Sequence, residues 1–264
     1  MCVRFLALFA LVFAGCYSES RDSETKSAPP PVLVAEEDPD REPTVDELLR
    51  QLGVSNQGAA QRVGGKIRIV DLMNTKAKDL APLAGLSLTE LYLEETLVKD
   101  LSPLAGMPLK KLHINKTSVT DLTPLAGMTL QELNLNGSEV ESLAGLEGVK
   151  IDTLWLPHTK VADLTPITES ELQSLDLEDT LVGSLEPLKE MKTLRRLHIA
   201  STAVTDLTPL ADLKLDRLLL TPSKITAGMD VIRNMPSIKE LGSSIEAKMP
   251  AAQFWTLYDA GQFK

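Results

Sequence analysis

The chain has 264 residues, of which 43% are hydrophobic but only 4% aromatic, and a formal charge of −10. Ten aromatic side chains are few for an enzyme core of this length, where Phe, Tyr and Trp supply much of the buried area. The acidic balance argues against a nucleic-acid partner, which needs clustered Lys and Arg, while 46 leucines point to an internal repeat.

The amino end reads as an address. Residues 1–4 are weakly basic and residues 5–13 form an apolar run. That run is too short to span roughly 30 Å of hydrocarbon as a helix. It fits the hydrophobic region of a signal peptide over residues 1–15, closed by small residues. Phe13-Ala14-Gly15-Cys16 resembles the bacterial lipobox, departing from it at Phe13, where the family usually has an aliphatic residue. The resemblance implies export, lipidation of Cys16 and anchoring to the cell envelope, on its periplasmic or cell-surface side. The other cysteine, Cys2, lies in the segment that would be removed. The mature chain then has no disulfide, thiolate metal site or catalytic cysteine. Residues 16–43 are rich in Ser, Pro and acid and read as a disordered tether.

Residues 44–66 read as an amino-terminal helical cap. Thr44 and Glu47 have capping-box spacing, and Val45, Leu48, Leu49 and Leu52 share one helical face. Gly64-Gly65-Lys66 lacks the glycine spacing of a phosphate loop and the Ser or Thr that should follow its lysine.

From Ile67 the leucines acquire a period. Units begin at Ile67, Leu88, Leu109, Leu130, Ile151, Leu172, Leu194, Leu215 and Ile238, mostly 21 residues apart. The clearest copies are LTELYLEETLVKDLSPLAGMP from Leu88 and LKKLHINKTSVTDLTPLAGMT from Leu109. This pattern resembles the leucine-rich repeat family in its short bacterial form of 21–22 residues, over about eight units across residues 67–237. The resemblance implies an α/β solenoid: curved, with a parallel sheet on the concave face and short helical or 3₁₀ turns on the convex face.

The unit can also be read physically. Apolar residues at positions 4 and 6, such as Leu91 and Leu93, have the period of a strand with one buried face. Position 9 is always Thr or Ser, a small hydroxyl suited to satisfying buried turn carbonyls. Ser102, Thr123, Thr165 and Thr208 each precede a proline and read as helix N-caps, and Gly85, Gly106 and Gly127 as stops. One unit buries too few aliphatic side chains to offset its own ordering, so stability must come from stacking.

Residues 238–264 read as a carboxy-terminal cap or tail, with a helix starting near Pro250 and ending at Gly261. They hold Phe254, Trp255, Tyr258 and Phe263, four of the ten aromatics. A lid over the last coil is the favoured reading, a docking peptide the other. This ending is similar to that of leucine-rich repeat proteins of planctomycete-type bacteria.

Position 5 lies between the two buried strand residues and points outward on the concave face. That column reads Asp71, Tyr92, His113, Asn134, Trp155, Asp176, His198 and Leu219. Tyr92 and Trp155 are the only aromatics within the repeats, and such side chains on a rigid surface are common interface anchors. The candidate binding residues are therefore Tyr92, His113, Asn134, Trp155, Asp176 and His198, with Glu90, Lys111, Arg196 and Arg217 from position 3. A single zinc ion cannot join His113 and His198, four strands apart at about 4.8 Å each. No catalytic motif, metal site or cofactor is expected. The sequence thus predicts a non-catalytic, membrane-anchored module that binds protein through its concave face. The alternatives are a structural envelope lipoprotein, or recognition of a glycan or small ligand by the concave aromatics.

Overall fold

The structure is a computed structural model and describes residues 41–54 and 57–263. The expected signal peptide, Cys16 and nearly all of the tether lie outside the described residues. Residues 42–263 belong to one compact unit.

The unit is a leucine-rich repeat solenoid built on one sheet of eleven strands, in which every strand pairs with its neighbour in sequence. The strands are β1 (Ala59–Val63), β2 (Lys66–Asp71), β3 (Glu90–Tyr92), β4 (Lys111–His113), β5 (Thr129–Asn134), β6 (Lys150–Trp155), β7 (Ser174–Asp176), β8 (Arg196–His198), β9 (Arg217–Leu219), β10 (Glu240–Gly242) and β11 (Met249–Pro250). β2 to β10 run parallel, while β1 and β11 close the two ends antiparallel. The three α-helices are α1 (Val45–Gln51), α2 (Met229–Arg233) and α3 (Ala251–Asp259), and the return segments carry 3₁₀ turns.

Each repeat turns its aliphatic positions into a shared core. In the unit from Leu88, the residues Leu88, Leu91, Leu93, Val98, Leu101, Leu104 and Met107 are all buried. The next unit repeats the set, so the core is one continuous column. Burial of those side chains at roughly 25 cal/mol per Å² is the main driving term.

The hydrogen-bond ladder runs past the strand end to position 6. Its N–H bonds to the position-5 carbonyl of the next repeat, as in Leu93 to His113 and Ile114 to Asn134. Position 8 then adopts left-handed backbone at Asn74, Glu95, Lys116, Gly137, His158, Asp179 and Ser201, with φ between 53° and 63°. Only one of these is glycine. The turn aims the position-8 N–H at the next repeat, for example Glu95 to the Asn115 carbonyl and Lys116 to the Asn136 carbonyl. Those bonds, repeated along the stack, offset a conformation that L-residues otherwise avoid.

Most position-9 hydroxyls face inward, whereas Ser223 is exposed and Ser138 Oγ is buried without a hydrogen bond. Thr75, Thr96, Thr117, Thr159, Thr180 and Thr202 each donate to the carbonyl three residues back, at 2.6–2.8 Å.

The 3₁₀ caps differ from expectation. Ser102, Thr123, Thr165 and Thr208 are the first residues of their turns, not the caps. The capping oxygen comes from an aspartate two residues earlier: Asp100, Asp121, Asp163 and Asp206 accept their N–H groups at 2.8–2.9 Å. Ser142 and Ser184 do the same where the aspartate is missing. The exits of these turns follow the sequence closely. Ala84, Ala105 and Ala126 have ψ of 129–133° and are followed by Gly85, Gly106 and Gly127 at φ 73–79°. That is a type II turn, which needs positive φ at its third residue. Thr168, Lys189 and Ala211 are αR instead, and Glu169, Glu190 and Asp212 follow them without strain.

The ends also depart from the expected boundaries. The helix of the amino-terminal cap covers only Val45–Gln51, with the Thr44–Glu47 capping box formed in both directions. The rest of 44–66 contains a hairpin strand, because Gly64 and Gly65 at φ 61° and 81° make a tight two-residue turn between β1 and β2. The body also begins before residue 44. Glu42 accepts the Ile67 N–H at 3.0 Å and pairs with Arg62. At the other end Phe254 of α3 is fully buried and stacks on Phe263, with ring centroids 4.8 Å apart. Arg233 lies 4.5 Å over the Trp255 ring. No helix among the described residues is long and apolar enough to cross a membrane.

Candidate binding face

The stack is in register, so the columns of the repeat become rows of side chains. Asp71, Tyr92, His113, Asn134, Trp155, Asp176, His198 and Leu219 pair successively across the ladder. Glu90, Lys111, Glu132, Thr153, Ser174, Arg196 and Arg217 form the position-3 row beside them.

The amino-terminal half of the face is a network of rings and carboxylates, in which Glu94 Oε2 stays buried without a hydrogen bond. The His113 ring meets the edge of Tyr92 at 5.1 Å and reaches past Asn134 to Trp155 at 6.0 Å. Three rings thus form one cluster, although Trp155 is two strands from His113. His113 Nδ1 lies 3.0 Å from Glu94 Oε1, and Nε2 lies 3.3 Å from Glu132 Oε2. Burial disfavours charge on this imidazole, but the bonds and charges of Glu94 and then Glu132 outweigh it. Its pKa stands above the usual histidine value. Tyr92 donates to Glu90 Oε2 at 2.6 Å. Burial and then that bond push the phenol far above its usual pKa, so it stays a neutral donor. Lys111 closes the network on Glu132 at 3.3 Å.

Some position-5 side chains are occupied locally. Asp71, Asn134 and Asp176 each accept the N–H two residues ahead, at 3.0 Å, and so cap the strand exit. Asn134 and Asp176 therefore have one oxygen tied to the backbone.

The carboxy-terminal half is different. Trp155, Asp176, His198 and Leu219 floor a cavity of about 400 Å³, with Arg196 and Arg217 on one side. Ile245, from the segment between β10 and β11, also lines it. His198 is 5% exposed, and neither ring nitrogen forms a hydrogen bond among the described residues. Nδ1 approaches Asp176 Oδ1 to 3.0 Å without hydrogen-bond geometry. Arg217 pairs with Glu240, its Nε donating at 2.6 Å, and Lys248 reaches the other oxygen of Glu240 at 3.0 Å.

Sequence reasoning left Glu132 out of the candidate binding residues and missed Ile245 and Glu240 as members of this surface. Glu132 was legible, since it sits at position 3 of the strand after His113. Ile245 and Glu240 carried no periodic signal, because they depend on where the last repeat folds back. No group of three or more His, Cys, Asp or Glu among the described residues could hold a metal ion. His158, at position 8, lies outside the face and its Nδ1 is 3.0 Å from Asp179 Oδ2.

The solenoid is similar to the crystal structure of an internalin from Listeria monocytogenes, at 25% identity and a TM-score of 0.54, covering 66% of this chain and 60% of that one. The chain thus spans less than two thirds of that protein. An internalin C2 from the same species is similar at 21% identity and a TM-score of 0.43, covering 58% of this chain and 80% of that one. No protein-family model matches the chain, and no curated protein does.

Proposed function

We propose that this chain is an exported, non-catalytic binding protein, anchored to the cell envelope through lipidated Cys16, that holds a protein partner on the concave face of its repeats. One observation carries the reading. The Tyr92–His113–Trp155 ring cluster stands on a rigid ladder, in a repeat body otherwise filled with aliphatic side chains. Aromatic rings fixed in advance lose little freedom on binding and are typical interface hot spots. Glu90, Glu94 and Glu132 already hold Tyr92 and His113 in place, so these two rings are preorganised. The shared fold supplies a scaffold, and function on it resides in these side chains.

The test is affinity capture from the native envelope with the full chain, comparing wild type with the Tyr92→Ala/Trp155→Ala double variant. A specific protein recovered by wild type and lost from the variant, at unchanged melting temperature, supports the reading. An identical set of captured proteins removes it. A partner displaced by free sugar would move the reading to glycan recognition. Separately, a Cys16→Ser chain that remains lipidated and membrane-bound would remove the anchor.

A further inference from the structure

We infer that the cavity at the carboxy-terminal end of the concave face receives a carboxylate carried by the partner protein, bound between Arg196 and His198. The inference rests on the concave-face reading and names the chemistry of what binds there.

The two face histidines make the first argument. His113 and His198 occupy the same repeat position, so the residue at position 3 of the following strand can be compared between them. For His113 that residue is Glu132, which accepts its Nε2 proton. For His198 it is Arg217, which has no acceptor to offer. Neither nitrogen of His198 forms a hydrogen bond, although Asp176 Oδ1 stands 3.0 Å from Nδ1, and the residue is only 5% exposed. Buried polar groups in native proteins are nearly always paired, so this one marks a place where a partner group is missing.

Charge makes the second argument. Arg196 and Arg217 are directly paired across the ladder, and like charges in that relation repel. Glu240 neutralises Arg217 from the far side and also takes Lys248. One carboxylate therefore serves two cations and leaves none for Arg196. Its other neighbour in the row is Ser174. The Arg196 guanidinium forms no hydrogen bond or ion pair among the described residues, and its charge acts at range, on Asp216. An oxyanion entering here would take a charge-assisted bond from Arg196 and a donor from His198, satisfying both.

The cavity selects what carries the oxyanion. Its volume of about 400 Å³ lies within the range of ligand sites, and it is lined by Trp155 and by Ile245, which is 47% exposed. Those apolar walls suit the methylene stem of a glutamate better than a fully hydrated inorganic ion. Asp176 and Glu178 lie on the position-5 and position-7 side and Glu132 lines the cavity from β5, so the carboxylate must approach at Arg196 and Arg217.

The chain has three histidines, so ring NMR signals of the full protein in detergent micelles can follow His198 individually. The probes are a blocked tetraglutamate peptide, a blocked tetralysine peptide and inorganic phosphate. Tetraglutamate is expected to shift His198 saturably and leave the exposed His158 unmoved. Arg196→Gln should weaken this about tenfold or more, with partial recovery in Arg196→Lys, because a bidentate donor is lost. An unmoved His198, an equal response to tetralysine, or an undiminished response in Arg196→Gln would overturn the proposal. Phosphate matching tetraglutamate would overturn the assignment to a protein carboxylate. The two readings separate cleanly. Partner capture that depends on Tyr92 and Trp155 but is unchanged in Arg196→Gln refutes the pocket alone. Tetraglutamate binding with no Tyr92- and Trp155-dependent partner refutes the face alone.

Discussion

Gly145 should be hard to replace, and Gly106 gives the control. Six repeats carry proline at position 16: Pro82, Pro103, Pro124, Pro166, Pro187 and Pro209. The unit from Leu130 has Gly145 there and forms no 3₁₀ turn. Its backbone, at φ +98°, instead lies against the preceding repeat. A Cβ on Gly145 would sit 2.6 Å from the Thr123 nitrogen and 2.7 Å from the Leu122 carbonyl carbon, neither of which can rotate away. A Cβ on Gly106, at φ +73°, would meet nothing within 4 Å. Gly106→Ala therefore costs only left-handed strain, roughly 1–2 kcal/mol. Gly145→Ala adds backbone displacement, taken as about 1–3 kcal/mol more. For a body of this size each kcal/mol lowers Tm by roughly 2–4 °C. The expected losses are thus about 5 °C for Gly106→Ala and about 10 °C for Gly145→Ala, taking mid-range values. Thermal unfolding followed by circular dichroism measures both. Amide exchange supplies a local readout, because the Thr123 N–H that bonds Asp121 lies under the new methyl. It should exchange faster in Gly145→Ala only. Equal melting losses, or unchanged exchange at Thr123, would refute the packing argument.

Three further outcomes follow from the same geometry. Thr117→Val should destabilise by roughly 1–3 kcal/mol in urea titrations, because the Ile114 carbonyl loses its hydroxyl donor. Thr96→Val should cost less, since the Leu93 carbonyl keeps the Thr96 N–H at 3.2 Å. The His113 pKa is raised, so its protonated ring stabilises the fold fully below the unfolded value of about 6.5, and that contribution fades as pH rises through the folded pKa. Glu94→Gln should lower the His113 pKa in an NMR titration and flatten stability over that window; an unchanged titration would show that Glu94 does not hold the charge. Phe254→Ala, which empties a fully buried site, should cost about 3–5 kcal/mol locally. Hydrogen exchange should find α3 unprotected while β3 to β6 stay protected, as expected of a stack held by nearest neighbours.

The parts of the fold legible in the sequence are those that the stack repeats. Leu91, Leu112, Leu133 and Leu154 could be placed to the residue, because a one-residue slip in any strand would turn its buried side chains outward. The ends resisted for the converse reason. β1 and β11 pair antiparallel with the outermost strands, covering sheet edges that would otherwise stay open, and nothing periodic announces them. The caps were misread because Thr and Ser before proline match a helix start equally well. The first 3₁₀ residue stands one place later than an α-helical N-cap, so it is Asp121 that reaches the Thr123 N–H. Asn134 and Asp176 looked like free ligands and are partly spent on their own strand exits, a use that only backbone geometry reveals.

The same distinction bears on how the proposed face would work. Position 5 has acidic hydrogen-bond partners at Tyr92 and His113, whereas Asp176 stands beside His198 without hydrogen-bond geometry and the Arg196 guanidinium has no carboxylate partner among the described residues. The first group has its polar atoms largely paired before any encounter, so contact there gains area and shape without a heavy desolvation cost. The second group holds unmet hydrogen-bonding capacity at the far end of the same row. A partner spanning both would have its orientation along the solenoid fixed, since only one end of the row can take its carboxylate. Exchanging Arg217→Glu should test that polarity. It would give His198 the acceptor that Glu132 gives His113, and it would give Arg196 a counter-ion across the ladder. The exchange also removes the ion pair to Glu240 and sets a carboxylate opposite it, so the free protein should gain no stability while tetraglutamate no longer shifts His198. A folded variant that still bound the peptide would show that the unmet groups are not what binds it.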